Sequence, residues 1–260
     1  MCGFAGLVPT ANDFFLSLNK MSIFYKPPLT PPEERDILPE EGGGGGSVLY
    51  LATAYLAPIQ YYTKLVAFDE IRIEICENYP KQTYRNRCYI ASTNGIQALT
   101  VPVEKSDTPK CLTRDIRIAE HGNWRHVHWQ ALVSAYGASP FFEYLEDDFR
   151  PFYEQKYNFL LDFNEALQTM ICSILEISPN IRHTTVYEPV VANDFRTVID
   201  PRHPQLDSHF SPTPYYQVFK DKQGFLPNLS IVDLLFNMGK EAISYLMKNV
   251  TIKKCNNKKM

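Results

Sequence analysis

The residues best suited to bind an anion are three cations within seven positions of one predicted loop, NYPKQTYRNRC. They are Lys81, Arg85 and Arg87. An arginine guanidinium matches the geometry of a carboxylate or a phosphate, and a lysine adds a point charge. Loops held between rigid strands are common locations for binding residues. The sequence therefore predicts an anion site here. The alternative is a solvated loop whose arginines pair with acids such as Glu74 or Glu77.

Aromatic and amide side chains accompany these cations. Tyr84 and Asn86 belong to the same loop, and Gln60 and Tyr61 belong to an earlier aromatic stretch. Such residues can offer a stacking surface and hydrogen bonds to a sugar, a nucleotide or an acyl carrier arm. The alternative is that they form a wall of the core. The predicted ligand-binding set is therefore Gln60, Tyr61, Lys81, Tyr84, Arg85, Asn86 and Arg87.

Two histidines, His126 and His128, are the candidates for a catalytic base. A base must reach the proton that it removes, so this role requires one of them to lie within reach of the cationic loop. Together with His121 they also suggest a metal site. However, side chains at i and i+2 diverge on the helix predicted here. No carboxylate or cysteine lies at ligand spacing, so the sequence favours a polar helix face and predicts no metal.

Two cysteines have neighbours that suggest reactivity. The start of the chain, MCGFAGL, resembles a class II glutamine amidotransferase, in which Cys2 would be the nucleophile. The HRGPD-like and NGEIYN-like stretches of that family are missing, which argues against this role. Cys88 follows Arg87, which can lower the pKa of a thiol, but a buried strand cysteine is the commoner explanation. The six cysteines form no C-x-x-C pair, so neither a zinc site nor a dense disulfide framework is indicated.

The composition limits the partners of the chain. Its 260 residues carry 26 basic and 29 acidic side chains, a formal net charge of −3. No strong positive field therefore favours nucleic acid. The longest apolar runs are too short to cross a bilayer, and the N terminus has no secretory signal pattern. The sequence predicts a cytoplasmic protein without membrane insertion or cofactor, and it leaves the oligomeric state open.

Short strand patterns lie mainly before a helical middle section, and two more follow it. The strands are predicted at Val48–Leu56, Phe68–Cys76, Cys88–Ser92, Ile96–Val103, His183–Tyr187 and Tyr216–Phe219. Asn94-Gly95 predicts a type I′ hairpin turn, with positive φ at both residues. A helix is predicted at Trp124–Tyr136, and capping-box patterns begin at Asp162 and Ser230. The order indicates an α+β or mixed α/β fold, in which an antiparallel-rich sheet from the N-terminal half packs against the helical middle.

The chain divides into three predicted regions. Residues 1–47 form a leader rich in proline, acidic residues and glycine, with five consecutive glycines before Ser47. Such a segment cannot bury enough apolar surface to offset ordering, so we expect disorder. Residues 48–248 form a single domain. Residues 249–260 form a basic tail that we expect to be frayed.

Several separated blocks resemble the WbqC-like family. They are APIQYY from Ala57, YPKQTYRNR from Tyr79, LTVPV from Leu99, SPFF from Ser139 and GFLPNLSIVDLLFN from Gly224. The likeness covers roughly Leu51 to Leu246, and the variant looks most like those of Bacteroides-type bacteria. The Gln60-Tyr61-Tyr62 and Asn86-Arg87 stretches match the family's most recognisable positions, whereas Cys88 does not belong to the general pattern.

The resemblance implies a role in bacterial clusters for O-antigen and other surface polysaccharides. Three hypotheses follow. The chain is a transferase that moves an acyl or aminoacyl group to an amino sugar, a non-catalytic accessory or binding protein of such a pathway, or a structural partner of another biosynthetic enzyme, which would show an exposed apolar patch. In the first two, the partner is a small or carrier-bound anionic ligand at the cationic loop. A pocket containing Arg87 and a histidine would favour the enzyme.

Overall fold

Three strands form a parallel sheet. The computed structural model of the protein describes residues 47–105 and 110–250. Strand β1 (Val48–Ala52) pairs with β2 (Glu70–Glu74), and β2 pairs on its other side with β5 (Ile181–His183). Helix α1 (Ile59–Ala67) connects β1 to β2. Parallel neighbours need such a crossover, because the chain must return to the same end of the sheet.

Residues 193–195 lie along the other edge of β1. The amide of Tyr50 donates to the carbonyl of Asn193 at 3.1 Å, and the amide of Phe195 donates to the carbonyl of Tyr50 at 2.9 Å. The bridge between Tyr50 and Asp194 is parallel. The chain therefore leaves β1 towards β2 on one side, while a much later segment joins β1 on the other. Open α/β sheets bind ligands beside the carboxyl ends of strands at such a point.

The predicted antiparallel-rich sheet is wrong. Among the strands that the structure describes, β3 (Arg87–Ser92) and β4 (Gly95–Thr100) pair in antiparallel fashion, in a separate two-stranded unit. The mixture of helices and strands is present, but the larger sheet is parallel. Periodicity identifies a strand without giving its direction. Direction depends on the connection, and here helix α1 and the distant β5 impose a parallel arrangement.

The hairpin predicted at Asn94-Gly95 is confirmed, but its turn type is wrong. Ser92 pairs with Gly95, so Thr93 and Asn94 connect the two strands. Gly95 has a φ of 113°, whereas Asn94 is not among the residues with positive φ. A single glycine with positive φ directly after the turn is typical of a type I turn followed by a bulge residue, and not of a type I′ turn.

The helices follow the sequence pattern more closely. They are α2 (Trp124–Tyr136), α3 (Phe142–Glu154), α4 (Leu160–Ile174), α5 (Lys220–Gln223), α6 (Ile231–Met238) and α7 (Ala242–Lys248). Helix α2 has the predicted bounds, and Ser230 caps α6 by accepting the amide of Val232. The capping box at Asp162 is wrong, because α4 begins two residues earlier. Asp162 lies in the first turn, where a carboxylate suits the helix dipole.

The late part of the domain contains less strand than predicted. Strand β5 ends at His183, and residues 216–219 lie outside the described strands. The apolar core draws on strands and helices together, including Leu49, Leu51, Ile71, Ile73, Leu132, Phe149, Phe163 and Phe236. Since β-prone patterns in the late part could not be distinguished from buried loops by periodicity, the sequence overpredicted strands there.

Both predicted boundaries fall close to the ends of the described chain. Ser47 donates its amide to Asp69 Oδ2 at 2.8 Å, and the rest of the predicted leader, with Cys2, lies outside the described residues. At the other end, Asn249 is buried, and its Oδ1 accepts the amide of Thr213 at 2.9 Å. The packed region therefore extends past residue 248. Residues 251–260 lie outside the described part, so the disorder of leader and tail stays a prediction.

Candidate functional site

A cleft of about 240 Å³ opens near the carboxyl ends of β2 and of the 193–195 segment. We name it the arginine cleft. It is lined by Glu77, Asn78, Pro80, Arg85, Tyr187, Arg196, Thr197, Asp200 and Arg202. Three arginines and two carboxylates are among these residues, so the lining carries one net positive charge. The cleft thus combines guanidinium donors with the sheet edge at which ligands commonly bind.

Of the three cations in the predicted loop, Arg85 is the one that lines this cleft. Its side chain is buried, and its Nε and Nη2 contact Oε1 of Glu77 at 2.7 and 2.5 Å. This ion pair agrees with the alternative predicted from the sequence, in which a loop arginine pairs with Glu77. A guanidinium carries five N–H donors, so the contact with one oxygen leaves the donors on Nη1 outside the ion pair.

Burial raises the pKa of Glu77, and the nearby Arg85 only partly opposes this effect. Glu77 nevertheless lines the cleft, and its side chain is 13% exposed. A carboxyl group whose pKa lies above its ordinary range is better matched to proton transfer near neutral pH. Glu77 is therefore the lining residue best suited to act as an acid or base.

Two Asp-x-Arg units supply the other arginines. In Asp194-Phe195-Arg196, the arginine amide and Nε donate to aspartate Oδ1 at 3.0 and 2.9 Å, and Nη2 donates to Oδ2 at 2.7 Å. Asp200-Pro201-Arg202 repeats these contacts at 2.9, 3.0 and 2.6 Å. Neither unit is among the residues predicted from the sequence. The repeated Asp-x-Arg spacing was the signal that could have identified them.

The two units differ in burial. Arg196 is buried, and its Nη1 donates to Oε2 of the fully buried Glu74 at 2.9 Å. Oε1 of Glu74 accepts the hydroxyl of Thr184 and the amide of Cys76. Arg202 is exposed, and its Nη1 donates to the carbonyl of Lys81 at 3.2 Å. Arg196 therefore holds the sheet edge together, whereas Arg202 presents a guanidinium to solvent.

A second, inner cavity shares Arg85 with the arginine cleft. Its volume of about 10 Å³ corresponds to roughly one water molecule. It is lined by Leu51, Ala52, Thr53, Ala54, Tyr61, Tyr84, Arg85, Phe195 and Ile199. The hydroxyl of Tyr61 is buried and has no hydrogen-bond partner among the described residues. A buried hydroxyl without a partner costs stability, and a cavity of this size has room for a partner about as large as one water molecule.

Asn164 fixes the wall between the cleft and the inner cavity. Its Nδ2 donates to the hydroxyl of Thr53 at 3.1 Å and to the carbonyl of Arg85 at 2.8 Å. Burial raises the pKa values of Tyr61 and Tyr84 above the ordinary tyrosine range. Both phenols therefore stay protonated near neutral pH and can donate hydrogen bonds to an anion.

The other residues of the predicted ligand-binding set lie elsewhere. Lys81 is exposed and contributes its carbonyl to Arg202. Nδ2 of Asn86 donates to the carbonyl of Val101, a structural contact. Arg87 begins β3, and its Nε is buried without a partner among the described residues. The structure thus places Tyr61, Tyr84 and Arg85 around the inner cavity, and the ligand roles of all seven residues stay predictions.

Gln60 belongs to a separate buried network. Its Nε2 donates to Oδ2 of Asp207 at 2.8 Å, and its Oε1 accepts Nδ2 of Asn228 at 3.1 Å. Nζ of the buried Lys64 contacts the same Asp207 oxygen at 2.5 Å. Burial lowers the pKa of Lys64, although Asp207 opposes this shift. The network ties α1 to two late loops, which gives Gln60 a structural role.

The two candidate histidines lie apart from the arginine cleft and differ from each other. His128 is buried, and its Nδ1 lies 2.9 Å from the hydroxyl of Tyr55. Burial lowers the pKa of His128 to about 4. A hydrogen bond with the backbone of Thr100 favours the charged ring and opposes part of this shift. His126 is exposed and lines a different cleft. Neither histidine lines the arginine cleft.

The cysteines and possible metal ligands give little sign of chemistry. Cys88 is fully buried, and burial raises the pKa of its thiol well above the ordinary value. This matches the expectation of a strand cysteine, since a protonated thiol is a poor nucleophile. Within residues 47–105 and 110–250, no group of three or more histidine, cysteine and acidic side chains is arranged to hold a metal ion.

Comparisons with known proteins identify the family. The model of the WbqC-like protein family matches residues 53–203. A curated relative is the uncharacterized protein Rv1507c of Mycobacterium tuberculosis (strain ATCC 25618 / H37Rv). It is 32% identical over 215 residues, which cover 73% of this chain and 93% of that protein. The chain belongs to the WbqC-like protein family. No solved structure matches it significantly.

The WbqC-like match contains every residue that lines the arginine cleft and the inner cavity, apart from Leu51 and Ala52. The family model and the curated relative confirm the resemblance that the sequence blocks indicated. Asp207 and Asn228 of the Gln60 network lie beyond the matched range. None of the helices in the described part of this WbqC-like chain has both the length and the apolar character needed to cross a membrane.

Proposed function

We propose that this WbqC-like protein binds an anionic group of a small or carrier-bound molecule in the arginine cleft. The observation that carries the proposal is the position of Arg85. It lines the cleft and also the inner cavity, which is lined by Tyr61 as well, a residue whose hydroxyl has no hydrogen-bond partner among the described residues. A phosphate or carboxylate there can accept hydrogen bonds from the guanidinium donors of Arg85 and Arg202.

The size of the cleft limits what it can enclose. Its volume of about 240 Å³ lies below the roughly 300–1,000 Å³ that is common for pockets that bury a whole drug-sized ligand. A phosphate or carboxylate head group fits, and the rest of a nucleotide sugar or carrier arm extends towards solvent. Tyr187 lies at this opening, is exposed, and packs against the guanidinium of Arg196. The ring of Tyr187 can therefore pack against the part of the ligand that extends out of the cleft.

The proposed context is the assembly of a bacterial O-antigen or another surface polysaccharide in the cytoplasm. The proposed reaction is transfer of an acyl or aminoacyl group to an amino sugar. The sugar nitrogen attacks the acyl carbonyl carbon, the C–S bond of a carrier thioester breaks, and an amide and a free thiol form. A base takes the proton from the nitrogen and returns it to the leaving thiolate, so the step needs no further reactant.

Glu77 is the better placed base for this step. It lines the arginine cleft, and burial raises its pKa. A base must lie within hydrogen-bond reach of the reacting proton. His126 and His128 stay predicted bases, but His126 lines another cleft and the ring of His128 is hydrogen-bonded to Tyr55.

The second candidate function is a non-catalytic accessory or binding protein of the same pathway. The composition of the cleft favours it, because neither a histidine nor a cysteine lines the arginine cleft. The anionic ligand would then be held without chemistry. Both functions need the same binding site, so binding and transfer must be measured separately.

Binding is tested by isothermal titration calorimetry with inorganic phosphate, UDP-N-acetylglucosamine and coenzyme A. We expect at least one probe to bind, and we expect Arg202→Gln to weaken it about tenfold, the equivalent of one lost charged hydrogen bond. Arg182→Ala is the matched control, because Arg182 is exposed and lies outside the cleft. If all three probes fail to bind, or if Arg202→Gln binds like the unaltered protein, the proposed anion site is wrong.

Transfer is tested with acetyl-coenzyme A and UDP-linked amino sugars. Release of free thiol and formation of the amide, detected by mass spectrometry, would support the transferase. Loss of product with retained binding in Glu77→Gln would assign the base. Binding of coenzyme A or the sugar nucleotide without product would favour the accessory function.

A further inference from the structure

A second cleft lies between helices α2 and α3. It has a volume of about 430 Å³ and is lined by Asn123, Arg125, His126, Trp129, Gln130, Arg150, Tyr153 and Glu154. We name it the tryptophan cleft. None of its residues lines the arginine cleft, so the function proposed above does not account for it. Its volume lies in the range that small-molecule sites commonly occupy.

The aromatic floor of this cleft is held in place. The ring of Trp129 lies 6.1 Å from that of Phe142 and 5.7 Å from that of Tyr153, with interplanar angles of 31° and 34°. The hydroxyl of Tyr153 lies 2.9 Å from that of Tyr55, which in turn lies 2.9 Å from Nδ1 of His128. Trp129 itself remains partly exposed. It therefore presents a supported aromatic surface to the cleft.

The polar lining offers donors and acceptors together. Asn123 and Gln130 are exposed, and each carboxamide has two donors and one acceptor oxygen. Nε of Arg150 donates to Glu154 at 2.8 Å, so this cation already has a carboxylate beside it. Arg125 is likewise paired, with Glu120. Balanced donors and acceptors suit neighbouring hydroxyl groups better than an anion, which needs donors alone.

We infer that the tryptophan cleft binds an uncharged sugar ring, a hexose or an N-acetylhexosamine. A pyranose has a face of C–H groups that packs on an aromatic ring, and a rim of hydroxyl groups that both donate and accept hydrogen bonds. Trp129 matches the first feature, and the carboxamides of Asn123 and Gln130 match the second. This site is independent of the anion site, because the two clefts share no lining residue.

The chain contains only two tryptophans, which makes the test direct. Trp124 is buried beside Phe163, so Trp124→Phe leaves Trp129 as the sole reporter of fluorescence. The probes are glucose, galactose and N-acetylglucosamine, at up to about 50 mM, which covers millimolar affinities. We expect a saturable change in emission with at least one of them. Calorimetry on the unaltered chain should give the same affinity.

Variants separate this site from a general effect. By calorimetry, which needs no tryptophan, we expect Gln130→Ala, an exposed substitution, to weaken sugar binding about fivefold or more, and Trp129→Ala to abolish it. Tyr144→Ala is the matched control, because Tyr144 is an exposed aromatic residue of α3 that does not line the cleft. The inference is overturned if none of the three sugars binds. It is equally overturned if Gln130→Ala binds as the unaltered chain does, or if Arg202→Gln abolishes sugar binding.

Discussion

Nε and Nη2 of Arg85 contact a single carboxylate oxygen, Oε1 of Glu77, at 2.7 and 2.5 Å. Both residues line the arginine cleft, and the carbonyl of Arg85 accepts a hydrogen bond from Asn164. Arg85 thus has two roles. Its ion pair and its carbonyl stabilise the loop, and its Nη1 remains for a ligand. The two roles can be separated by substitution.

Arg85→Ala should lower the free energy of unfolding by about 3–5 kcal/mol, because it leaves Glu77 as a half-buried charge without its partner. Urea denaturation measures this change. The double variant Arg85→Met with Glu77→Met should recover much of the loss, since both charges are then removed. A single Arg85→Ala variant as stable as the unaltered protein would show that the pair is solvated and contributes little.

Arg202→Gln should lower the free energy of unfolding by only about 1 kcal/mol, because the side chain of Arg202 is itself partly solvated, although its partner Asp200 is buried. The side chain of Arg202 is 37% exposed, whereas that of Arg196 is 3% exposed. Arg196→Gln should therefore destabilise the domain by roughly 3 kcal/mol or more, since Glu74 loses its buried cation. Equal effects of the two substitutions in urea denaturation would contradict the distinction between the partly exposed Arg202 and the buried Arg196.

Tyr61→Phe should keep or slightly raise the free energy of unfolding and should weaken binding of the anionic probe. The hydroxyl has no partner among the described residues, so its removal leaves no protein group unsatisfied. Tyr245→Phe is the contrasting control. The phenol of Tyr245 donates to the carbonyl of Thr213 at 2.6 Å, and its loss should cost about 1 kcal/mol. Calorimetry and urea denaturation together test both halves of the prediction.

The stability of the domain should fall between about pH 6.5 and pH 4, in part because of His128. Burial lowers its pKa in the folded state to about 4, while the ordinary value is 6.5. In that window the unfolded chain binds the proton more readily, so acidification favours unfolding. The full contribution is about 3 kcal/mol, because one pKa unit corresponds to about 1.4 kcal/mol.

Urea denaturation across this pH window, with a histidine variant and its control, tests the assignment. His128→Gln removes the titrating ring, so its free energy of unfolding should depend less on pH than that of the unaltered chain. His126→Gln should keep the original dependence, because His126 is exposed. The assignment fails if His128→Gln leaves the pH dependence unchanged.

Gly95→Val should destabilise the domain by roughly 1–3 kcal/mol, because a β-branched residue is strained at positive φ. A Cβ atom at Gly95 would meet no heavy atom within 4 Å, so the cost is conformational and not steric. Gly95→Asn should cost less than Gly95→Val, because asparagine tolerates positive φ better. The denaturation midpoints of the two variants, compared with the unaltered chain, test this order.

The local parts of the fold were predictable from the sequence. The bounds of α2, the strand character of Ile71 and Ile73, and the cap at Ser230 depend on residues that are neighbours in sequence. The direction of the sheet was not predictable in this way. Strand β5 pairs with β2 across a long stretch of chain, and periodicity carries no information about which distant strand will pair.

The residues of the candidate site were likewise predictable where they are neighbours in sequence, and not where they depend on distant contacts. The sequence identified Tyr61, Tyr84 and Arg85, because aromatic and cationic residues concentrate in two short stretches. It missed Arg196, whose partner Glu74 is 122 residues away. It also grouped Gln60 with Tyr61, although consecutive residues of a helix point in different directions. Only the packing of α1 shows that Tyr61 lines the inner cavity while Gln60 contacts Asp207.

The pairing of β1 with residues 193–195 has a consequence for folding during synthesis. The first two strands and α1 leave the ribosome well before β5 and Arg196 are made. Until then, the buried carboxylate of Glu74 has no cation, and both edges of the β1–β2 pair are open. The nascent chain therefore cannot complete its sheet progressively. Closure must await contacts between distant parts of the sequence, which is the property that makes folding slow and exposes unpaired edges to aggregation.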